Sequence, residues 1–205
     1  MKKALIVFSF LFTLFVQAEI VSKPYGIITV PLEPYKLYHL GMPFDNEHTY
    51  LNLLEQLPEG SLISIWNNLN RKYVFSIVEQ SNENDLIIKK GDAFYVSVTE
   101  PVKLKLYGKV PDATNSVKVI PNGISMTGLM YPTQFEFNNS QLSEELKFPS
   151  TLIAWDNELQ IYKIFRKTKS GWINEEILFA PHEAFWIKRK GEVLLWQVTK
   201  PYSYP

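Results

Sequence analysis

Cysteine is absent from all 205 residues. That excludes a disulfide framework, a thiol nucleophile and acylation of a lipoprotein-type leader. Only three histidines occur, His39, His48 and His182, with no His-rich tract to gather a metal. Glycine is scarce, at nine residues, and no low-complexity segment is present. Neither sign of charge dominates: 21 Lys and Arg stand against 21 Asp and Glu, so no basic excess draws the chain to nucleic acid. The longest apolar run, Leu5 to Val16, falls short of the roughly 20 residues needed to cross a bilayer.

What surrounds that run gives it a meaning. Met1-Lys2-Lys3 precedes it and Gln17-Ala18-Glu19 follows, so a charged start, a short apolar stretch and a small-residue end form the pattern of a secretory leader. Cleavage is expected after Ala18, making residues 1–18 a signal peptide. The expected destination is the cell surface or extracellular space, or alternatively the periplasm, with no membrane span left. Loss of Lys2 and Lys3 keeps the remaining chain close to neutral. Without disulfides, an exported chain must hold itself by packing and sheet pairing alone.

Self-similarity organises the rest. Setting Trp66 on Trp155 aligns Pro43 with Pro132, Leu53 with Leu142, Leu57 with Leu146, Ser61 with Ser150 and Tyr73 with Tyr162, and upstream Ile28 with Val117 and Val30 with Val119. Gly91-Asp92-Ala93-Phe94-Tyr95-Val96 falls on His182-Glu183-Ala184-Phe185-Trp186-Ile187 after two further residues, placed in the loop Lys167 to Gly171. So many matched turn residues and aromatics at nearly constant spacing imply duplication. The join is expected around Val110 to Ser116, giving two modules, residues 19–110 and 111–205.

Within each copy, β-branched and aromatic runs bounded by turn residues read as strands. Examples are Gly26 to Val30, Lys36 to Leu40, and the hairpin of Ser61–Trp66 with Lys72–Ile77. Asp85 to Ile88 reads as a further strand before Ala93 to Val98. One short helix per copy is expected, from an Asp45 or Asn46 cap to Leu57 and from Ser140 to Leu146. The fold class is therefore mainly β, with one short helix per module: two tandem small antiparallel β-sandwich or barrel-like modules.

The segment Leu57-Pro58-Glu59-Gly60-Ser61 leading to Trp66-Asn67, and the segment Lys90-Gly91-Asp92-Ala93-Phe94-Tyr95-Val96, each with a second copy downstream, resemble a family of bacterial exported tandem-repeat proteins. The resemblance implies the architecture and names no activity. The chain departs from that pattern at Asn68 and Asn157, where the family favours glycine, and at His182, where a turn glycine is replaced.

Chemistry-bearing residues are few. His48 beside Asp45 and Glu47 suggests ligands, yet acidic residues in a first helical turn ordinarily answer the helix dipole, and the second copy has no such cluster. No metal or other cofactor is expected. No Gly-x-Ser-x-Gly elbow occurs. Asp92 and Glu183 recur at equivalent turns, where backbone hydrogen bonding accounts for them. Of the five tryptophans, Trp66, Trp155 and Trp186 read as core. Trp172, in the loop inserted in the second copy, is the candidate ligand contact. Ile20, Val21 and Tyr25 before the first module, and Tyr202 and Tyr204 after the last strand, are candidate assembly segments for strand addition to a neighbour.

The expectation is a non-enzymatic exported structural or interaction protein, with itself or another surface protein as partner, self-assembling by strand addition into a surface or extracellular filament. A carbohydrate-binding module protein with a glycan ligand is the alternative. A secreted hydrolase is the third.

Overall fold

The computed structural model describes residues 24–45, 51–78, 87–173 and 176–203. The signal peptide, Ile20, Val21, Glu47, His48, Asp85, Leu86 and Tyr204 lie outside them. No helix among the described residues is long and apolar enough to cross a membrane.

The chain is mainly β, in antiparallel sheets, with two short helices among the described residues. The first half runs β1 (Tyr25–Leu32), β2 (Leu37–Gly41), α1 (Leu51–Leu54), β3 (Leu62–Asn67), β4 (Lys72–Ile77), β5 (Ala93–Ser97) and β6 (Val102–Lys109). The second half runs β7 (Asn115–Ile120), β8 (Gly123–Gly128), β9 (Phe135–Glu136), α2 (Gln141–Glu145), β10 (Ser150–Asp156) and β11 (Ile161–Thr168). It closes with β12 (Gly171–Ile173), β13 (Leu178–Phe179), β14 (Ala184–Arg189) and β15 (Leu194–Thr199).

The ribbon and the large sheet pair alike in both halves, and the second half has in addition the short β9–β13 pair. In the first, β1 pairs with β6 as a ribbon and the remaining strands form a sheet in the order β2-β5-β3-β4. In the second, β7 pairs with β15 and the sheet order is β8-β14-β10-β11, with β12 added at its edge. Each half closes a core between ribbon, helix and one sheet face. Val30, Leu40, Ile63, Phe94, Leu104 and Leu106 fill the first, and Leu142, Leu152, Phe137, Phe185, Ile187 and Trp196 the second. Removing such side chains from water is the main favourable contribution to folding.

Two expectations need correction. Ile28 and Val30 do not match Val117 and Val119. Val30 is buried, whereas Val117 and Val119 point to solvent, and Ile120 and Ser116 face inward. Strand side chains alternate with period two, so the true correspondence is shifted by one residue. Of the first helix the described residues hold the turn Leu51–Leu54, and its start, with the expected Asn46, lies outside them; the Asp45 backbone bridges Lys109 on β6, and its carboxylate pairs with Lys90 at 2.9 Å. Ile87 and Ile88, at the end of the expected Asp85–Ile88 strand, are outside any strand. The second helix matches its sequence signature. Ser140 caps it by accepting from the Ser143 N–H, and Leu142 and Leu146 are fully buried.

Candidate functional site

The other faces of the two large sheets pack on each other. Ala93, Tyr95, Met126, Ala184 and Trp186 form a third buried cluster there, flanked by Trp66 and Ile153. The contact is pseudo-twofold. Gly41 pairs with Ala93 and Gly128 with Ala184, and these two glycines meet back to back: a Cβ on Gly128 would stand 2.7 Å from the Gly41 Cα and 2.6 Å from the Asp92 carbonyl oxygen. Only glycine permits that approach. The Gly41 N–H donates to the His182 carbonyl at 2.8 Å, and the Gly128 N–H to the Gly91 carbonyl at 2.9 Å, the same bond read in both directions.

Asn68 and Asn157, each following a β-turn entry, clasp the opposite module. Asn68 Oδ1 accepts from the Met126 N–H at 2.9 Å and its Nδ2 donates to the Met126 carbonyl, while Asn157 Oδ1 accepts from the His39 N–H at 2.9 Å. Next to them, the Trp155 Nε1–H donates to the Leu37 carbonyl at 2.7 Å, while the buried Trp66 Nε1–H finds no acceptor. Lys118 adds a charged link, its amine donating to the Gly91 carbonyl and to Asp92 Oδ1, both at 2.7 Å.

Against this junction the second module opens a cleft of about 450 Å³ between the β10–β11 hairpin and the segment 176–184. Phe165 and Phe179 supply apolar wall, and Asp156, Glu158, Glu176 and Glu183 supply carboxylates. Asp156 Oδ2 pairs with Lys163 at 2.7 Å, and Asp156 Oδ1 accepts from the Glu158 and Leu159 N–H groups. The Leu159 N–H, then the Lys163 amine, hold the Asp156 carboxyl below its usual range. Glu183 Oε2 accepts from the Ala180 N–H at 2.8 Å, as Asp92 Oδ2 does from Lys89 in the first module. Burial nevertheless pushes the Glu183 carboxyl up, and burial also lowers the His182 imidazole.

The described residues of the first module carry no such set. At the positions of Asp156, Glu158, Lys163 and His182 it has Asn67, Leu69, Val74 and Gly91. Reading the aligned copies for charge differences would have exposed these columns, which matching for similarity passes over. The His182 turn does differ from its counterpart: Gly91 has φ 78°, whereas His182 is not in the left-handed region.

The residues singled out from sequence lie elsewhere. Trp172 sits on β12, half-buried; its Nε1–H donates to the Ser143 carbonyl at 3.1 Å and its ring meets Phe137 edge to face at 4.8 Å. Lys167 lies over the same ring. Trp172 therefore packs against the second core, remote in role from the cleft. Tyr25 begins β1 and pairs with Lys109 of its own ribbon. Tyr202 donates its hydroxyl to the Pro111 carbonyl at 2.7 Å and packs on Tyr131, tying the C-terminal segment to its own module. Among the described residues, no group of three or more His, Asp and Glu is placed to hold a metal.

Comparison with family models, curated proteins and solved structures found no match to this chain.

Proposed function

We propose that the chain is an exported, non-enzymatic interaction protein built by duplication of one β module, acting at the cell surface or outside the cell through the cleft of its second module. What carries this is the divergence of the cleft. Two modules share their strand order and clasp each other by matched asparagines, yet only one bears Asp156, Glu158 and Lys163 around an apolar hollow. A duplicated scaffold keeps one copy structural while the other acquires a binding surface.

Half-buried Phe165 and Trp155 with carboxylate, amide and ammonium groups on a rim supply the chemistry that holds a sugar: rings stack on its apolar face and the polar rim takes its hydroxyls. A glycan is therefore the ligand class this reading adopts. The experiment is retention of purified residues 19–205 on a panel of immobilised bacterial and host polysaccharides. Binding abolished by Asp156→Ala with Lys163→Ala, and kept by Trp172→Ala, is expected. Retention indifferent to the cleft pair, or absent throughout, overturns it.

Assembly into a filament is the second form. Tyr25 and Tyr202, being engaged within their own modules, give it little support. What favours it is the β7–β15 ribbon, which exposes Val117, Val119 and Leu195 on one face beside Val193. Concentration-dependent sedimentation that Val119→Lys abolishes is the outcome that would establish it.

A further inference from the structure

His39 stands at the centre of the junction, 1% exposed, and neither ring nitrogen has a hydrogen-bond partner. Its ring lies flat on Tyr95 at 4.3 Å between centroids and 6.3 Å from Trp186. The equivalent place in the second module, opposite Trp186 on the neighbouring strand, is Met126. One slot of the pseudo-twofold thus holds a thioether and the other a titratable imidazole.

We propose that the junction is an acid-sensitive latch, in which protonation of His39 opens the face-to-face packing of the two modules while each keeps its own core. A proton on this ring needs an acceptor or water. From β5 it meets Tyr95, whose hydroxyl already accepts from the Trp186 Nε1–H at 2.8 Å. Tyr73 on β4 and Tyr162 on β11 close on Tyr95, and burial pushes the Tyr73 hydroxyl up from its usual range. From the β10–β11 turn comes Asn157, its oxygen committed to the His39 backbone. From the turn before β14 come His182 and Glu183: the Glu183 carboxylate is held by the Ala180 N–H and, like Asp156 with its Lys163, belongs to the cleft. Among the described residues, no carboxylate answers the imidazole.

Burial accordingly lowers the His39 pKa from 6.5 to about 3. Once open, the ring takes a proton below about pH 6.5; closed, it does not until about pH 3. The closed junction is therefore fully favoured above about pH 6.5, and the open-to-closed ratio rises about tenfold for each pH unit between about 6.5 and about 3, levelling off below. The penalty falls on the junction cluster, because the two module cores are separate clusters of their own.

The test is an acid titration of residues 19–205, following tryptophan fluorescence and near-UV circular dichroism against the far-UV signal. His182→Gln is included because burial lowers that imidazole too and would act in the same direction. Expected is a tertiary change below about pH 6.5 with the far-UV strand signal kept, absent in His39→Met and wild-type in His182→Gln. A His39→Met profile equal to wild type, or far-UV loss in step with the tertiary change, overturns the latch. Ring proton NMR of the wild type decides independently of whether the variant folds: a His39 ring that stays neutral while the junction is closed supports the latch, and one titrating near pH 6.5 in the closed protein overturns it.

Discussion

Asn157 illustrates how much one side chain does at this junction. Its carboxamide replaces a strand partner for the His39 N–H, and a buried donor left without an acceptor costs about 1–3 kcal/mol. Asn157→Ala is expected to lower stability by that amount in urea unfolding, and Asn68→Ala by as much or more, since Asn68 satisfies both the N–H and the carbonyl of Met126. An equal, near-zero effect for both variants would show that water replaces the clasp. From sequence the two asparagines stand out only as departures from a glycine pattern. Their purpose was illegible there because the group each satisfies lies 58 and 118 residues away. Asp92 and Glu183 were legible, because their turn hydrogen bonds are local.

At the scale of elements, the helices and ribbons show how short pieces are held. Each ribbon has an outer strand edge that a glutamine covers, one from the turn after α1 and one from α2: Gln56 exchanges two bonds with Lys105 of β6, and Gln141 accepts from the Gln197 N–H of β15. These are side-chain substitutes for a missing strand, and they protect edges that invite pairing with other chains. The α2 cap is a separate, local contribution: Ser140→Ala is expected to cost about 1 kcal/mol, read as a shift in the urea midpoint at unchanged slope. Strands, turns and α2 were visible in the sequence because alternation, turn residues and a capping serine act over a few positions. The spacing matches β1 to β7 one residue out of phase with the burial seen in the structure. Two β-branched residues fit either face, and only burial decides which side of the pleat they take.

The whole molecule is two like units joined through sheet faces that neither could leave in water. Residues 111–205 alone would expose Trp186, Met126 and Ile153, a surface complementary to a twin of itself. The isolated second module is therefore expected to keep its strand signal in circular dichroism and to run as a dimer in size-exclusion chromatography with light scattering. A stable monomer would mean the junction contributes little to folding.

The amino-acid order by itself determined that this chain is mainly β, that its turn residues and aromatics recur at nearly constant spacing, and that its cores are built from alternating apolar positions. All of these rest on interactions between near neighbours. Tertiary structure alone decided that the two sheets face each other, that Gly41 meets Gly128, that an uncharged histidine lies between two aromatic strands, and that four carboxylates line one cleft. Each of those depends on residues brought together from distant parts of the chain, where spacing along the sequence carries no signal and packing makes the choice.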